Sequence, residues 1–258
     1  METTVAIMMT VHNCKNKTLS FLEDCYRQID TMKGKYDYSF SFYVLDDGSI
    51  DGTSEEILNN FPEINLIKGN GQLYWSRGMS LVWKEAALKD YDFYFWLNVD
   101  TILKEDAIAS MMENSRFLGH RAIIAGTAVN EEGLITSGGL TKAGKHVIPE
   151  KVIPVPCYTI NGNLVLIPRY VYKILGNIDP HYRHYFGDLD YGVRAYKVGI
   201  VRVVAPGILA TYSPKEETPK LYNSEQFLYD LRSAGFFHAI SHILSLNMKV
   251  LFAYSKKI

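Results

Sequence analysis

Across the first hundred residues, short apolar runs alternate with amphipathic stripes, and the runs stop at polar clusters. Val5-Ala6-Ile7-Met8-Met9 ends in Thr10-Val11-His12-Asn13 and reads as a buried strand followed by a polar loop. Leu19, Leu22, Cys25, Tyr26, Ile29 and Met32 recur at helical spacing, which predicts a helix over 16–32 with Gly34 as its stop. Ser39 to Leu45 is a second strand ending at Asp46-Asp47-Gly48-Ser49, and Asp51-Gly52-Thr53 opens a short helix through Ile57 and Leu58. Ile64 to Ile67, the turn Lys68-Gly69-Asn70-Gly71 and a helix from Trp75 to Leu88 come next. Phe93 to Leu97 is the fourth strand, ending at Asn98-Val99-Asp100. Such alternation predicts an α/β fold: a Rossmann-like, mostly parallel central sheet flanked by helices. In such sheets ligands bind at the carboxyl ends of the strands, where His12-Asn13, Asp46-Asp47 and Asn98/Asp100 stand.

The second half is less regular. Gly126, Gly133, Gly138, Gly139 and Gly144 suggest short strands and turns. Tyr158 to Ile167 is strand-like but interrupted by Asn161-Gly162-Asn163, and Pro168 suits the first turn of a helix to Leu175. Asp188 to Lys197 reads as a helix closed by Gly199, and Ile200 to Ala205 as the last strand. Residues 214–220, with two prolines and four charges, read as an exposed loop, and 222–254 as a partly apolar helical tail. The expected organisation is one domain over 1–213, with a nucleotide-binding half (1–100) and an acceptor half (101–213), then a C-terminal helical extension over 214–258.

At 258 residues the chain can bury the core of one large α/β domain. A formal net charge of -1 gives a nucleic-acid partner no bulk electrostatic support. Cys14, Cys25 and Cys157 show neither CxxC nor zinc spacing, so a reducing compartment fits. The first residues lack the basic start and apolar core of a signal peptide, and no apolar run reaches the roughly 18 residues of a membrane helix.

Two adjacent acids after an apolar strand cannot both be satisfied in a core, so Asp46 and Asp47 should face water, a helix N-terminus or a ligand. The plain alternative is that one caps the helix beginning near Ile50. Asn98 and Asp100, spaced i and i+2, can point to one side of the strand end and hold a divalent cation on a diphosphate, or simply cap the next element. Asp188 and Asp190 at a helix start are either dipole-stabilised caps or, for Asp188, a general base; Arg194 is placed to pair with Asp190. Lys68-Gly69-Asn70-Gly71-Gln72 begins like a phosphate loop, but Tyr74 stands where a dinucleotide fingerprint needs its third glycine. Tyr74 and Trp75 either flank a sugar or base or pack in the core. His12 and His184 are the two histidines beside other candidates, with a structural role as the default reading.

In order, these segments resemble the inverting glycosyltransferases of family 2, of GT-A fold and of the type that builds bacterial surface polysaccharides. Val11-His12-Asn13 looks like the first-strand loop, Asp46-Asp47-Gly48-Ser49-Ile50-Asp51-Gly52-Thr53 like the acidic nucleotide-binding turn, Leu97-Asn98-Val99-Asp100-Thr101 like the DxD metal motif, and Phe186 to Ala195 like the start of the catalytic helix. Gly71 to Met79 and Asn161 to Pro168 are weaker echoes, and the likeness runs from residue 4 to 213. The resemblance implies a nucleotide-sugar donor, bound by Thr10, His12, Asn13, Asp46, Asp47, Trp75, Arg77 and Asn98. It implies Mg²⁺ or Mn²⁺ at Asp100 with Asn98, and a glycan or lipid-linked acceptor beside His184 and Asp190. Asp188 would deprotonate the acceptor hydroxyl, which displaces the nucleoside diphosphate with inversion.

Two departures bear on the metal. Asn98 replaces the first acid of DxD, and Pro206 to Ser213 has no histidine where many relatives place a ligand; Tyr212 stands there instead. The resemblance implies a cytoplasmic enzyme at the inner face of the membrane. The tail, with Phe236, Phe237, Ile240, Leu251 and Phe252 near Lys256-Lys257, would lie against that membrane, pack on the catalytic domain or join a second subunit as a homo-oligomer. The rivals are a sugar nucleotidyltransferase, which would carry a Gly-rich basic loop where His12-Asn13-Cys14-Lys15 stands, and a non-catalytic binding domain, against which Asp188 argues.

Overall fold

The computed structural model describes residues 2–212; the predicted loop at 214–220 and the helical tail lie outside them. The first half follows the predicted alternation: β1 (Thr3–Val11), α1 (Lys15–Met32), β2 (Tyr38–Asp46), α2 (Thr53–Asn60), β3 (Asn65–Lys68), α3 (Tyr74–Ala87) and β4 (Phe93–Leu97). The second half holds β5 (Ile102–Leu103), α4 (Ala107–Phe117), β6 (Ala122–Ala125), β7 (Ala128–Val129), β8 (Ile135–Ser137), β9 (Gly139–Leu140), β10 (Val155–Pro156), β11 (Thr159–Ile160), β12 (Leu164–Pro168), α5 (Arg169–Leu175), α6 (Gly187–Lys197), β13 (Val201–Val204) and β14 (Ala210–Thr211). The strand predicted at 200–205 is therefore not the last: the two-residue β14 comes after it, too short for a periodic signal.

Eight strands form the central sheet in the order β10-β13-β6-β12-β4-β1-β2-β3. β1 runs parallel to β2 and β4, β2 to β3, and β6 to β13. β12 runs antiparallel between β4 and β6, and β10 antiparallel to β13. The sheet is mixed on the side that sequence periodicity describes least well. A four-stranded sheet (β5-β14-β7-β8) and a β11-β9 pair complete the fold.

Strand alternation divides the core in two. Val5, Ile7, Met9, Phe93, Phe95 and Leu97 join one cluster with Leu22 of α1 and Met111 of α4. Ala6, Met8, Tyr94 and Trp96 join the other with Met79 and Trp83 of α3. Both faces being covered explains why β1 and β4 read as unbroken apolar runs.

The antiparallel β12 brings the second half of the chain to the strand ends of the first. Leu164 pairs with Leu97, so Asn161-Gly162-Asn163 arrives beside the carboxyl end of β4. Thr159, in β11, donates its hydroxyl to the Leu189 carbonyl over 2.7 Å, which seats α6 against the same region.

Candidate active site

The loops after β1 and β2 are locked together. Asn13 Oδ1 accepts the Ile50 N–H (2.8 Å), and the Asn13 N–H donates to Ser49 Oγ (2.8 Å). Exposed His12 sits 2.7 Å from the Asp47 carbonyl through Nδ1 and 2.9 Å from Asn13 Nδ2 through Nε2, a pattern that fits a neutral Nδ1–H tautomer. Asp51 accepts from Thr53 and from the Lys15 N–H, which holds its carboxyl below the usual range, the Thr53 hydroxyl contributing most. Thr10 points to α3, where its methyl would lie 2.7 Å from a Cβ on Gly78.

Both acids of Asp46-Asp47 are satisfied inside the protein, against the expectation that a core cannot do so, although Asp47 meets a helix N-terminus, one of the three environments expected for them. Both are buried, at 2% and 5% exposure, and both have protein donors. Asp46 accepts from the Ser49 N–H at 2.9 Å and from the Ser54 hydroxyl. Asp47 accepts from the N–H groups of Gly71 (2.8 Å), Leu73 (2.9 Å) and Tyr74 (2.9 Å). It therefore caps α3 rather than a helix near Ile50. The Gly69-Asn70-Gly71 turn spends an amide on this carboxylate instead of on a phosphate. A Cβ on Gly69 would stand 2.6 Å from Asp47 Oδ1, which explains that glycine.

At the end of β4, the Asn98 N–H donates to the Asn163 carbonyl (3.1 Å) and Asn98 Nδ2 to Asn163 Oδ1 (3.2 Å). That orientation leaves Asn98 Oδ1 as its acceptor. Asp100 is exposed as a residue, yet partial desolvation raises its carboxyl above the usual value, with Lys17 opposing. Among the described residues no three His, Cys, Asp or Glu side chains converge on one point. The donor set, one carboxylate and one amide oxygen, fits an ion that takes its other ligands from a diphosphate and water, as Mg²⁺ commonly does. Tyr212 packs against the core on the α1 side.

Asp188 lies in the first turn of α6, after Phe186, whose φ of 72° is left-handed. Its Oδ2 accepts the Gly162 N–H (2.7 Å) and its Oδ1 the Leu189 N–H (2.8 Å). Burial raises its pKa to about 6, against the pull of those two amides. The residue keeps partial solvent access. A carboxylate mostly ionised at neutral pH, yet a competent proton acceptor, is what general-base work requires.

The segment 177–186 is laced onto α3. Ser76 Oγ donates to the His184 carbonyl (2.8 Å), Ser80 Oγ to that of Ile178 (3.1 Å), and Arg77 Nε to that of Pro180 (3.0 Å). His184 Nδ1 accepts the Trp75 N–H at 3.3 Å, and burial, aided by Arg183, lowers its pKa to about 4, so the ring is neutral. Trp75 meets Trp96 edge-on with centroids 6.0 Å apart. Asp190 is not brought to the cleft: it is 2% exposed and ion-paired to Arg194 at 2.7 Å. Arg194 also donates to the carbonyls of Leu175 and Asn177. Its burial and the Arg194 pair give Asp190 a structural role, against the acceptor contact expected of it.

Gly162 and Asn163 contact the candidate catalytic and metal-site residues, although composition alone did not mark them. The Asn-Gly-Asn break in an apolar strand was the available signal. A cavity of about 660 Å³, lined by Tyr26, Tyr36, Tyr38 and Phe40 among others, opens near the start of β2, at the opposite end of that strand from Asp46.

A family model described as glycosyl transferase family 2 matches residues 6–152. No curated protein matches. The chain is similar in structure to GalNAc-T7 solved with UDP, GalNAc and Mn²⁺ (14% identity, TM-score 0.60, covering 86% of this chain and 46% of that one). It is similar to the mannosyltransferase PcManGT of Pyrobaculum calidifontis solved with GDP-Man and Mn²⁺ (14% identity, TM-score 0.59, 93% and 65%). It is also similar to S. aureus TarS (14% identity, TM-score 0.60, 98% and 41%). The chain spans less than two thirds of each of these proteins. The likeness bears out the GT-A fold expected from the sequence.

Proposed function

The chain belongs to glycosyl transferase family 2, and from that premise we propose that it moves a sugar from a nucleotide-sugar donor to a hydroxyl of a glycan or lipid-linked acceptor, inverting the anomeric carbon. The observation that carries this reading is Asp188: a carboxylate held by two amides, partly open to solvent, with its pKa raised to about 6.

In the proposed step Asp188 takes the proton of the acceptor hydroxyl. The acceptor oxygen forms a bond to the anomeric carbon as the bond from that carbon to the diphosphate oxygen breaks, releasing a nucleoside diphosphate. Asp46 and Asp47 shape the nucleotide pocket by fixing the loops around it, with Thr10, His12, Asn13, Trp75 and Arg77 along its wall. Asp100 and Asn98 would hold Mg²⁺ or Mn²⁺, which when bound neutralises charge on the diphosphate. His184, neutral and beside Trp75, would contribute to the acceptor side. A place in bacterial surface-polysaccharide synthesis, in the cytoplasm against the inner face of the membrane, agrees with such an acceptor. Among the described residues no helix is long and apolar enough to cross a membrane.

The test is release of nucleoside diphosphate from a panel of nucleotide sugars with Mn²⁺, for the wild type and Asp188→Asn. Release by the wild type and its loss in the variant are expected. No release from any donor, with no nucleotide binding by calorimetry, would sink the proposal, and pyrophosphate release from a nucleoside triphosphate would favour a nucleotidyltransferase.

A further inference from the structure

We propose that Gly162 and Trp75 are positioning residues for Asp188, the glycine amide fixing the carboxylate and the indole fixing the glycine. The inference rests on the reading of Asp188 as the base and deepens it.

Gly162 is not required by its backbone conformation, since its φ lies outside the left-handed region. It is required by proximity. A Cβ there would stand 2.3 Å and 2.4 Å from Cη2 and Cζ2 of Trp75, and 3.3 Å from the Asp188 Cβ. The Gly162 backbone is therefore wedged between the indole and the aspartate. In that position its N–H reaches Asp188 Oδ2 at 2.7 Å, the short distance of a charge-assisted bond. The wedge is braced from behind. Trp75 meets Trp96 edge-on, Trp96 meets Trp83 at 5.2 Å, and Trp96 also meets Tyr191, one turn along α6 from Asp188, at 5.4 Å. Trp83, Trp96 and Tyr191 are fully buried, so the chain from core to carboxylate is rigid.

The arrangement does two things. It aims Oδ2, whose second lone pair remains for a proton. It also stabilises the ionised form against the desolvation of the site, keeping the base usable near neutrality. Loss of the amide therefore shifts the base upward in pH, a consequence that a purely structural glycine does not have.

The experiment is the pH profile of kcat/KM for the full chain, with thermal unfolding measured alongside. Gly162→Ala is expected to lower kcat about tenfold to a hundredfold and to move the acidic limb of the profile to higher pH. Trp75→Phe removes the atoms that a Cβ would strike, so adding it to Gly162→Ala should restore much of kcat and return the limb toward wild type. Trp75→Phe alone should move the limb upward by less. Folded Gly162→Ala with a wild-type limb overturns the proposal. If Gly162→Ala does not fold, Trp75→Phe decides, and an unmoved limb there overturns it too. Full turnover by Asp188→Asn would instead remove the base assignment itself.

Discussion

Asp47 Oδ2 lies 2.9 Å from the backbone nitrogen of Tyr74, so an acid following β2 caps a helix that begins 27 residues later. Tyr74 needs that anchor, because its φ of 55° is left-handed and costly for an aromatic residue. Asn13 and Phe186 also have positive φ, at 46° and 72°. Asn13 and Phe186 sit in loops that carry the candidate site, and Tyr74 opens the helix beside them. Strain is thus held around the candidate site, and Asp47 is one of the groups that hold it.

Asp47→Ala should therefore remove more than a ligand contact. It strands the N–H groups of Gly71, Leu73 and Tyr74, at a cost on the order of 3 kcal/mol or more. Urea unfolding should show that loss, and calorimetry should show weaker binding of nucleoside diphosphate. An unchanged midpoint would mean the cap is dispensable. Asp46→Ala, which strands only the Ser49 amide and the Ser54 hydroxyl, should cost less.

Asp190→Ala offers a contrast within the same helix. It leaves Arg194, whose side chain is partly exposed, with its two carbonyl partners but no counter-charge, so the cost should fall below the roughly 3–5 kcal/mol of a fully buried pair. The expected result is a lower unfolding midpoint with little change in KM for the acceptor in the folded enzyme. A rise in that KM without a stability loss would restore Asp190 to the acceptor site.

These two acids show how far the sequence was legible. Alternation in 1–100 placed β1 through β4 and the strand-end clusters, because doubly covered parallel strands write themselves as apolar runs. The partners of the acids were not legible. Asp47 meets amides 24 to 27 residues away, and Asp188 meets Gly162 across an antiparallel strand that periodicity could not orient. Adjacent acids looked insoluble in a core because the amides of the Gly69–Tyr74 turn are invisible in a residue-by-residue reading. The mixed half of the sheet, with strands of two residues such as β10 and β14, carries too few positions for any period to show.

The metal site proposed at Asp100 and Asn98 predicts an order of effects. Asp100→Ala removes the charged ligand and should lose more Mn²⁺-dependent activity than Asn98→Ala, which removes a neutral oxygen. Asn98→Asp adds a second carboxylate and should tighten Mn²⁺ binding, read by the paramagnetic signal of the free ion in the presence of nucleoside diphosphate. Greater loss in Asn98→Ala than in Asp100→Ala would refute the ligand assignment.

The raised pKa of Asp188 links activity and stability with opposite signs. The proposed base role needs the ionised carboxylate, so kcat/KM should fall as pH drops through about 6. Stability runs the other way. Between the unfolded value near 3.8 and the folded value near 6, the folded state binds the proton and the unfolded state does not. Stability from this group is therefore full below the lower value and lost as pH rises through the window. A shift of that size corresponds to roughly 3 kcal/mol at neutral pH. Asp188→Asn carries no such cost. It should raise the thermal midpoint by several degrees at pH 7, lose that advantage near pH 4, and reduce turnover at least about a hundredfold. A midpoint difference that is the same at both pH values would show that Asp188 is not desolvated in the folded protein.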